Sequence, residues 1–308
     1  MKHYAAAILI LLMLSAVQPS TARPVRAVAA GDIACDPAHH AFGGKDDSRA
    51  RCHSAQTARL IAALHPDLVL PLGDLQYFEE DVQAFRTGYG STWGSFKAIS
   101  YPAVGNHEYE IPDAAGYFDY WGARAGPRGE GWYSWDRGGW HFIALNGNCE
   151  PSGGCSERSA QYQWLAADLL AHRGVCTLAY WHQPRFSSGP HGNDSDYAGF
   201  WRALYRAGAD IVLNGHDHDY ERFVPMNPQE ETDARGLREF VVGTGGRNHS
   251  QFFFPPHLQS AARQNTEFGV LLLELSPNTY RWRFIPESGG TFRDAGQGKC
   301  HAYTKDAR

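Results

Sequence analysis

Leu213-Asn-Gly-His-Asp-His-Asp-Tyr-Glu-Arg222 is the stretch on which the reading of the chain turns. It follows the apolar run Ala209-Asp-Ile-Val-Leu213, which reads as a strand. His216 and His218 therefore stand where a strand passes into a loop. Residues two apart share one face of a strand, and at a strand exit their imidazoles can diverge toward two neighbouring points. A pair of metal ions roughly 3.5–4 Å apart asks that of two ligands. Alone, a His-x-His in a chain with 15 histidines is equally well a coincidence.

Outward from this run the same arrangement recurs. The apolar strand Val25-Arg-Ala-Val-Ala-Ala30 ends at Gly31-Asp32, and Asp67-Leu-Val-Leu-Pro-Leu72 ends at Gly73-Asp74. Ile99-Ser-Tyr-Pro-Ala-Val104 leads into Gly105-Asn106-His107, and Thr177-Leu-Ala-Tyr-Trp181 ends at His182. Residues 48–64 read as an amphipathic helix, with Ala55, Ala58, Ile61, Ala62 and Leu64 at roughly helical spacing. Residues 159–170 and 197–207 read as further helices, and 82–95 as helical or irregular. Residues 132–135 and 140–145 form a hairpin around Asp-Arg-Gly-Gly. The rest is β-rich, with strands at 238–242, 268–274 and 279–285. No repeat, low-complexity tract or linker divides the chain.

Strands alternating with helices imply an α/β architecture, and open α/β sheets bind ligands beyond the carboxyl ends of their strands. Five strand ends thus deliver Asp, Asp, Asn-His, His and His-x-His toward one edge. One Gly-Asp is an ordinary turn or helix cap; five such ends in order are not five turns.

The 308 residues carry a formal net charge of −5, so no basic excess suggests a nucleic-acid surface or a polybasic membrane patch. Aromatics make up 13% of the chain, which marks a packed globular protein. Lys2 and His3, the apolar run 5–17 and the small residues Ser20-Thr21-Ala22 read as a secretory signal cleaved after Ala22. Its apolar run, about thirteen residues, falls short of the roughly 20 that a bilayer span needs. The mature chain, 23–308, then has no membrane anchor, and its destination is secreted or periplasmic. Export makes disulfides of the six cysteines. Cys149 and Cys155 enclose a short turn, Cys35 and Cys52 bracket a polar loop, and Cys176 and Cys300 remain. A thiolate metal site is the alternative, though no C-x-x-C spacing exists.

Taken in order, Gly31-Asp32, Gly73-Asp74-Leu-Gln-Tyr77, Gly105-Asn106-His107-Glu108, His182 and Gly215-His216-Asp-His218 resemble the five blocks of the calcineurin-like metallophosphoesterases. Tyr77, three after the second Asp, and Asp-Tyr-Glu-Arg after the last His resemble the purple acid phosphatase branch. The match runs from Asp32 to Arg222. The resemblance implies a four-layer α/β/β/α sandwich with two mixed sheets and a dinuclear centre at the strand ends. It makes Asp74 the bridge between two ions. Asp32, Tyr77 and His218 complete one site; Asn106, His182 and His216 complete the other. The wider superfamily usually writes its first block Asp-x-His, but here Asp32 is followed by Ile33 and Ala34. Tyr77 stands in for that missing histidine, and a phenolate favours ferric iron, so the implied centre is Fe(III) with Zn, Mn or Fe as divalent partner. The other reading of Tyr77 is a packed core tyrosine.

The implied activity is that of a secreted phosphatase hydrolysing phosphate monoesters by attack of a metal-bound hydroxide. His107 would donate a proton to the leaving group or hold a phosphate oxygen. Glu108 would orient His107 or cap a turn, and Asp217 would face solvent or support a ligand. His191, in the loop Ser-Ser-Gly-Pro-His191-Gly-Asn-Asp, is the substrate-side candidate, with a solvated loop histidine as the alternative. His39, His40, His53 and His65 read as surface residues, and His141 as a satisfied core or edge residue. His249 follows a Gly-Gly loop and is within possible reach of the centre. The first block, Gly-Asp-Ile-Ala-Cys35, departs from the branch's Gly-Asp-x-Gly, which bears on specificity more than on metal binding. The chain has no room before Asp32 for the extra β-sandwich of the large plant-type enzymes. The competing functions are a phosphodiesterase using the same metal pair, and a secreted metal-binding protein that has lost catalysis.

Overall fold

A computed structural model describes residues 23–35, 37, 52–78, 81–253 and 255–301. The expected signal segment, 1–22, lies outside the described residues, as do His39 and His40. Strands β1 (Val25–Ala30), β2 (Ala34–Cys35), β3 (Leu68–Pro71) and β4 (Gln76–Tyr77) come first, with helix α1 (Ser54–Leu64) after β2. Helices α2 (Val82–Thr87) and α3 (Ala115–Trp121) precede the hairpin β5 (Tyr133–Arg137) and β6 (Trp140–Ala144). Then come α4 (Ala160–Ala171), β7 (Cys176–Tyr180), α5 (Ala198–Ala207) and β8 (Ile211–Asn214). The chain continues with β9 (Tyr220–Phe223), β10 (Arg238–Val242) and β11 (Ser260–Gln264). It ends with β12 (Gly269–Ser276), β13 (Thr279–Pro286) and β14 (Ala295–Lys299).

These strands build two mixed sheets. One has the order β14-β13-β12-β1-β3, the other β11-β9-β10-β8-β7-β6-β5. β1 and β3 run parallel, as do β6, β7, β8 and β10, so their carboxyl ends gather at one edge of each sheet. In the larger sheet the side-chain alternation separates two cores. Phe142, Leu178, Leu213 and Phe240 pack with the smaller sheet's Val28, Leu70 and Leu272. Their neighbours Ile143, Ala179, Val212 and Val241 pack instead with Leu165 and Leu169 of α4 and Phe200 and Leu204 of α5.

β13 shows the half-buried pattern in its plainest form. Tyr280, Trp282 and Phe284 face the core, while Thr279, Arg281 and Arg283 face solvent. β14 lies alongside with Gly298 opposite Tyr280 and Gly296 opposite Trp282. A Cβ on Gly296 would fall 2.3 Å from the Trp282 ring, so the edge strand must be glycine there.

The structure departs from the sequence reading in several places. α1 begins at Ser54, after Cys52, rather than at 48. The third expected strand is not a strand. Residues 100–104 follow a 3₁₀ helix, Trp93–Ile99, and pair with β3 and the residue after it only through the isolated bridges Val69–Ser100 and Leu72–Ala103. Pro102 lies between those bridges and has no N–H to donate to a ladder. β9 and β11 are short strands without marked apolar alternation, and β14 is interrupted by glycine; none was foreseen. All three cysteine pairings expected from position are present as disulfides, Cys35–Cys52, Cys149–Cys155 and Cys176–Cys300, which removes the thiolate alternative. No helix among the described residues is long and apolar enough to cross a membrane.

Candidate metal centre

The two sheets supply different chemistry. Asp32 and Asp74 follow β1 and β3 of the smaller sheet; His182 follows β7 of the larger, and His216 and His218 follow β8. Tyr77 lies on β4, and Asn106 closes the extended segment beside β3. Three of these residues hold their backbone in the left-handed region, with φ of 61° at Asp32, 48° at Asp74 and 72° at His216. Such conformations cost of order 1–3 kcal/mol each for a non-glycine residue and persist where surrounding contacts over-determine them. Two glycines leave space for the carboxylates. A Cβ on Gly105 would lie 2.1 Å from Asp74 Oδ1, and one on Gly215 would lie 2.7 Å from Asp32 Oδ2.

The donor atoms fall into two groups that share one oxygen. In the first, the Tyr77 hydroxyl is 2.9 Å from Asp32 Oδ1, 3.0 Å from Asp74 Oδ2 and 3.1 Å from His218 Nε2. His218 Nε2 is also 3.2 Å from Asp32 Oδ1. In the second, His182 Nε2 is 3.2 Å from both Asp74 Oδ2 and His216 Nδ1. Asn106 stands next to this group, between Gly105 and His107, whose N–H donates to Asp74 Oδ1 at 2.9 Å. The Asn106 Oδ1 atom is buried and accepts no hydrogen bond, so a buried acceptor next to His107 is left without a donor. Neighbouring donor atoms around one cation with bonds of about 2.0–2.2 Å lie about 3.0–3.4 Å apart. The residues present fit metal ions, and Asp74, His182 and His216 by themselves form a cluster able to hold one.

Supporting contacts aim the candidate ligand atoms. His182 Nδ1 donates to the Leu72 carbonyl at 2.8 Å, which leaves Nε2 directed at Asp74. His218 Nδ1 is held by Asn248 Oδ1 at 2.9 Å, leaving its Nε2 toward Asp32. The His216 backbone N–H donates to Asp32 Oδ2 at 2.9 Å. Burial lowers the His182 pKa, but the Asp74 carboxylate prevails and lifts it to about 10. Burial, reinforced by His182 and His191, pulls His216 down to about 4. Burial and the Asp32 and Asp74 carboxylates hold the Tyr77 proton far above the ordinary range. The two buried carboxylates thus favour the charged form of His182 and oppose ionisation of the phenol; a cation among them would reverse both effects.

Glu108 is buried against the same oxygen cluster. Its carboxylate accepts from the backbone N–H groups of Asp74 at 3.0 Å, Leu75 at 2.7 Å and Gly105 at 2.6 Å. It therefore clamps two loops and does not orient His107. That position belongs to Glu110, 2.6 Å from His107 Nδ1. His107 Nε2 lies 3.8 Å from Asp74 Oδ2, and the ring packs against Tyr77 with centroids 4.4 Å apart. The imidazole is about one-third exposed, at the mouth of the centre.

His191 packs over His216 at 4.0 Å between centroids, with its Nδ1 2.6 Å from Asp217 Oδ1. Asp217 is buried and also accepts from the Ser187 hydroxyl, so it supports the loop rather than meeting solvent. His249 Nδ1 is 3.3 Å from the His218 carbonyl, and its ring lies on Phe268. His141 is buried between two carboxylates, and His65 is exposed, as expected. His53 is not a surface residue: its ring stacks on Phe268 at 4.1 Å and bonds Glu287 at 3.0 Å. Glu110, Asn248 and Arg247, whose guanidinium lies over the Tyr77 and Phe78 rings, were missed. Only the i+3 spacing from His107 could have flagged Glu110; nothing local marks Asn248 or Arg247.

Comparison with known proteins agrees with this geometry. The family described as Calcineurin-like phosphoesterase matches residues 26–220. Purple acid phosphatase 15 of Arabidopsis thaliana is 29% identical over 219 residues, covering 59% of this chain and 40% of that protein. Acid phosphatase type 7 of Danio rerio is 26% identical over 258 residues, covering 70% and 57% respectively. The chain thus spans 40% to 57% of the length of these two relatives. In fold it is similar to the purple acid phosphatase PPD1 from yellow lupin seeds, with a TM-score of 0.68 and 20% identity over 92% of this chain and 55% of that one. It is also similar in fold to GAP50, the anchor in the inner membrane complex of Plasmodium, with a TM-score of 0.63 and 14% identity over 91% and 90%. The chain belongs to the calcineurin-like phosphoesterase family, on its purple acid phosphatase-like branch.

Proposed function

We propose that this chain is a secreted, dinuclear metal-dependent phosphatase acting on phosphate monoesters. One observation carries the reading: the donor atoms form two groups that meet at a single oxygen, Asp74 Oδ2. In this reading Asp32, Tyr77, His218 and Asp74 hold one ion, and Asp74, Asn106, His182 and His216 hold the other. The phenol of Tyr77 makes the first site ferric, with Zn, Mn or Fe as divalent partner. When bound, the metal pair polarises a phosphoryl oxygen and activates a water. The chain's own residues do the rest. His107, with Nδ1 tied to Glu110, presents Nε2 at the mouth, where it can give a proton to the departing alkoxide. His191, fixed by Asp217 and packed over His216, is placed to meet the substrate's phosphate. Three disulfides agree with export to an oxidising compartment. The same reading takes 1–22 as the cleaved signal and 23–308 as one catalytic domain.

Metal analysis, a visible absorption spectrum and a p-nitrophenyl phosphate assay on the mature protein test this together. A broad tyrosinate-to-iron band that vanishes in Tyr77→Phe is the expected result. A colourless, active protein holding two zinc or manganese ions would overturn the ferric assignment alone. Preference for bis-p-nitrophenyl phosphate would move the substrate class to diesters. A protein that stays inactive and metal-free after reconstitution would overturn the whole reading.

A further inference from the structure

At the other end of the larger sheet a second group of histidines and carboxylates has no part in the phosphoesterase centre. His141 lies on β6 opposite Thr177, near the amino end of β7, whereas His182 follows the carboxyl end of that strand. At about 3.3 Å per residue the two places are roughly 16 Å apart along the strand. Asp136 comes from β5, His141 from β6, and Asp168 and His172 from the last turn and C-cap of α4.

We propose that Asp136, His141 and His172 form a second cation site, for a divalent transition metal of zinc's kind, with Asp168 positioning both imidazoles. One ligand atom from each of the three residues lies within 4.8 Å of the others. Both rings are already held by their far nitrogens. His172 Nδ1 is 2.8 Å from the Asp168 backbone carbonyl, which can only accept, so Nδ1 carries the proton and Nε2 is left bare. His141 Nε2 is 2.7 Å from Asp168 Oδ2, and Ser134 donates to the other oxygen of that carboxylate at 2.7 Å. Asp168 is nearly buried and doubly occupied, so His141 keeps its Nε2 proton there and turns Nδ1 outward. A metal-binding imidazole is characteristically fixed in this way, its second nitrogen donating to a carboxylate or carbonyl.

The outward nitrogens meet one exposed carboxylate. His141 Nδ1 is 2.7 Å from Asp136 Oδ1, and His172 Nε2 is 3.9 Å from Asp136 Oδ2. With no cation, His141 must be an imidazolium to satisfy both carboxylates. Burial opposes that charge, but the hydrogen bonds to Asp168 and Asp136 raise its pKa. The His172 ring stacks 3.8 Å away at 14°, so it receives a neighbouring positive charge face-on. A divalent ion on the Asp136 side takes the place of the Nδ1 proton and uses the His172 lone pair as well. Asp136 is 63% exposed and His172 31%, so both can move onto the ion while His141 stays fixed. Two imidazoles and a carboxylate, with solvent completing the shell, suit zinc, nickel or copper over calcium or magnesium.

The test uses the mature protein with its phosphoesterase centre filled, dialysed against micromolar zinc chloride, beside Asp136→Asn and His172→Ala. The wild type should retain about one zinc per chain more than either variant, with equal phosphatase turnover in all three. Exchange at the phosphoesterase centre is common to the three proteins and cancels in that difference. At a hundredfold excess of zinc over its Kd, the wild-type Tm should rise by roughly 5 °C and the variants' should not. Equal zinc content in all three would overturn the proposal. So would a Tm loss in Asp136→Asn that is the same with and without zinc, the result expected of an ion-pair cluster alone. Loss of the extra zinc in Asp136→Asn but not in His172→Ala would remove His172 from the ligand set.

Discussion

Glu108→Ala is the substitution on which the geometry of the centre can be tested without touching any proposed ligand. The carboxylate accepts three backbone N–H groups, those of Asp74, Leu75 and Gly105, and no solvent reaches it. Each buried donor left without a partner costs about 1–3 kcal/mol, so the three together set a range of roughly 3–9 kcal/mol. Two effects offset part of this. Burial and the Asp74 carboxylate push the Glu108 acid up to about 8, so at neutral pH the group is largely neutral and its acceptor bonds are weaker than those of a full carboxylate. The cavity left by the side chain also has polar walls and can admit a water. A net loss of about 3–4 kcal/mol follows, or roughly 8 °C in Tm for a domain of this size. Because Asp74 sits at φ 48° and is over-determined by this clamp, metal retention should fall with stability. Glu108→Gln keeps one acceptor oxygen but turns an NH₂ toward the remaining donors, and should lose an intermediate amount. Urea unfolding, measured with the centre filled and again in chelator, separates the clamp from the metal: the chelated variant should still be weaker than chelated wild type. An alanine variant within about 1 kcal/mol of wild type and holding its full metal complement would refute the clamp.

Two further outcomes follow from other parts of the molecule. Asp294 accepts from Arg222 at 2.7 and 2.9 Å, from Tyr220 at 2.6 Å and from the Trp282 indole at 3.2 Å; burial opposes its charge, yet these donors depress its pKa. Its contribution is therefore complete above the unfolded value of about 3.9 and is lost as pH falls through the lower folded value. Asp294→Asn should be less stable than wild type at pH 7, with the difference closing on acidification; a difference independent of pH would contradict the assignment. His107→Ala should lower p-nitrophenyl phosphate turnover by about 10²–10³-fold at unchanged metal content, and unchanged turnover would remove His107 from proton transfer.

Much of the centre was visible in the chain because each residue concerned sits in a short block at the end of an apolar run. The runs before Asp32, His182 and His216 carry no proline, and the structure makes each of them a strand. The run before Asn106 looks alike as composition, but Pro102 leaves it as an extended segment joined to β3 and the residue after it by two isolated bridges. What stayed hidden depends on contacts across long separations. Asn248 meets His218 from 30 residues away, and Glu108 reaches back 34 residues to the Asp74 N–H; neither spacing has a periodic signature. His53 was misread because the stack on Phe268 joins residues more than 200 positions apart. Cysteine pairing was legible from position only because the six residues left few sensible partners.

The strands that flank β1 and β8 limit where this protein can be cut. The recognised family segment ends at residue 220, and every proposed ligand precedes that point. Yet β1, which leads to Asp32, lies between β3 and β12, and β8, which leads to His216, lies between β7 and β10. A chain truncated after residue 220 would keep all the ligands while turning both of those strands into open sheet edges, each with a row of unpaired backbone groups facing water. It would also lose Val242, Gly245 and Arg247, through which the backbone at Gly31 and Asp32 is tied to the end of β10 and the loop after it: Gly31 N–H donates to the Val242 carbonyl, Gly245 N–H to the Gly31 carbonyl and Arg247 N–H to that of Asp32. The family's signature thus ends near residue 220, and the stretch after it, silent as motif, holds the strands leading to Asp32 and His216 in place.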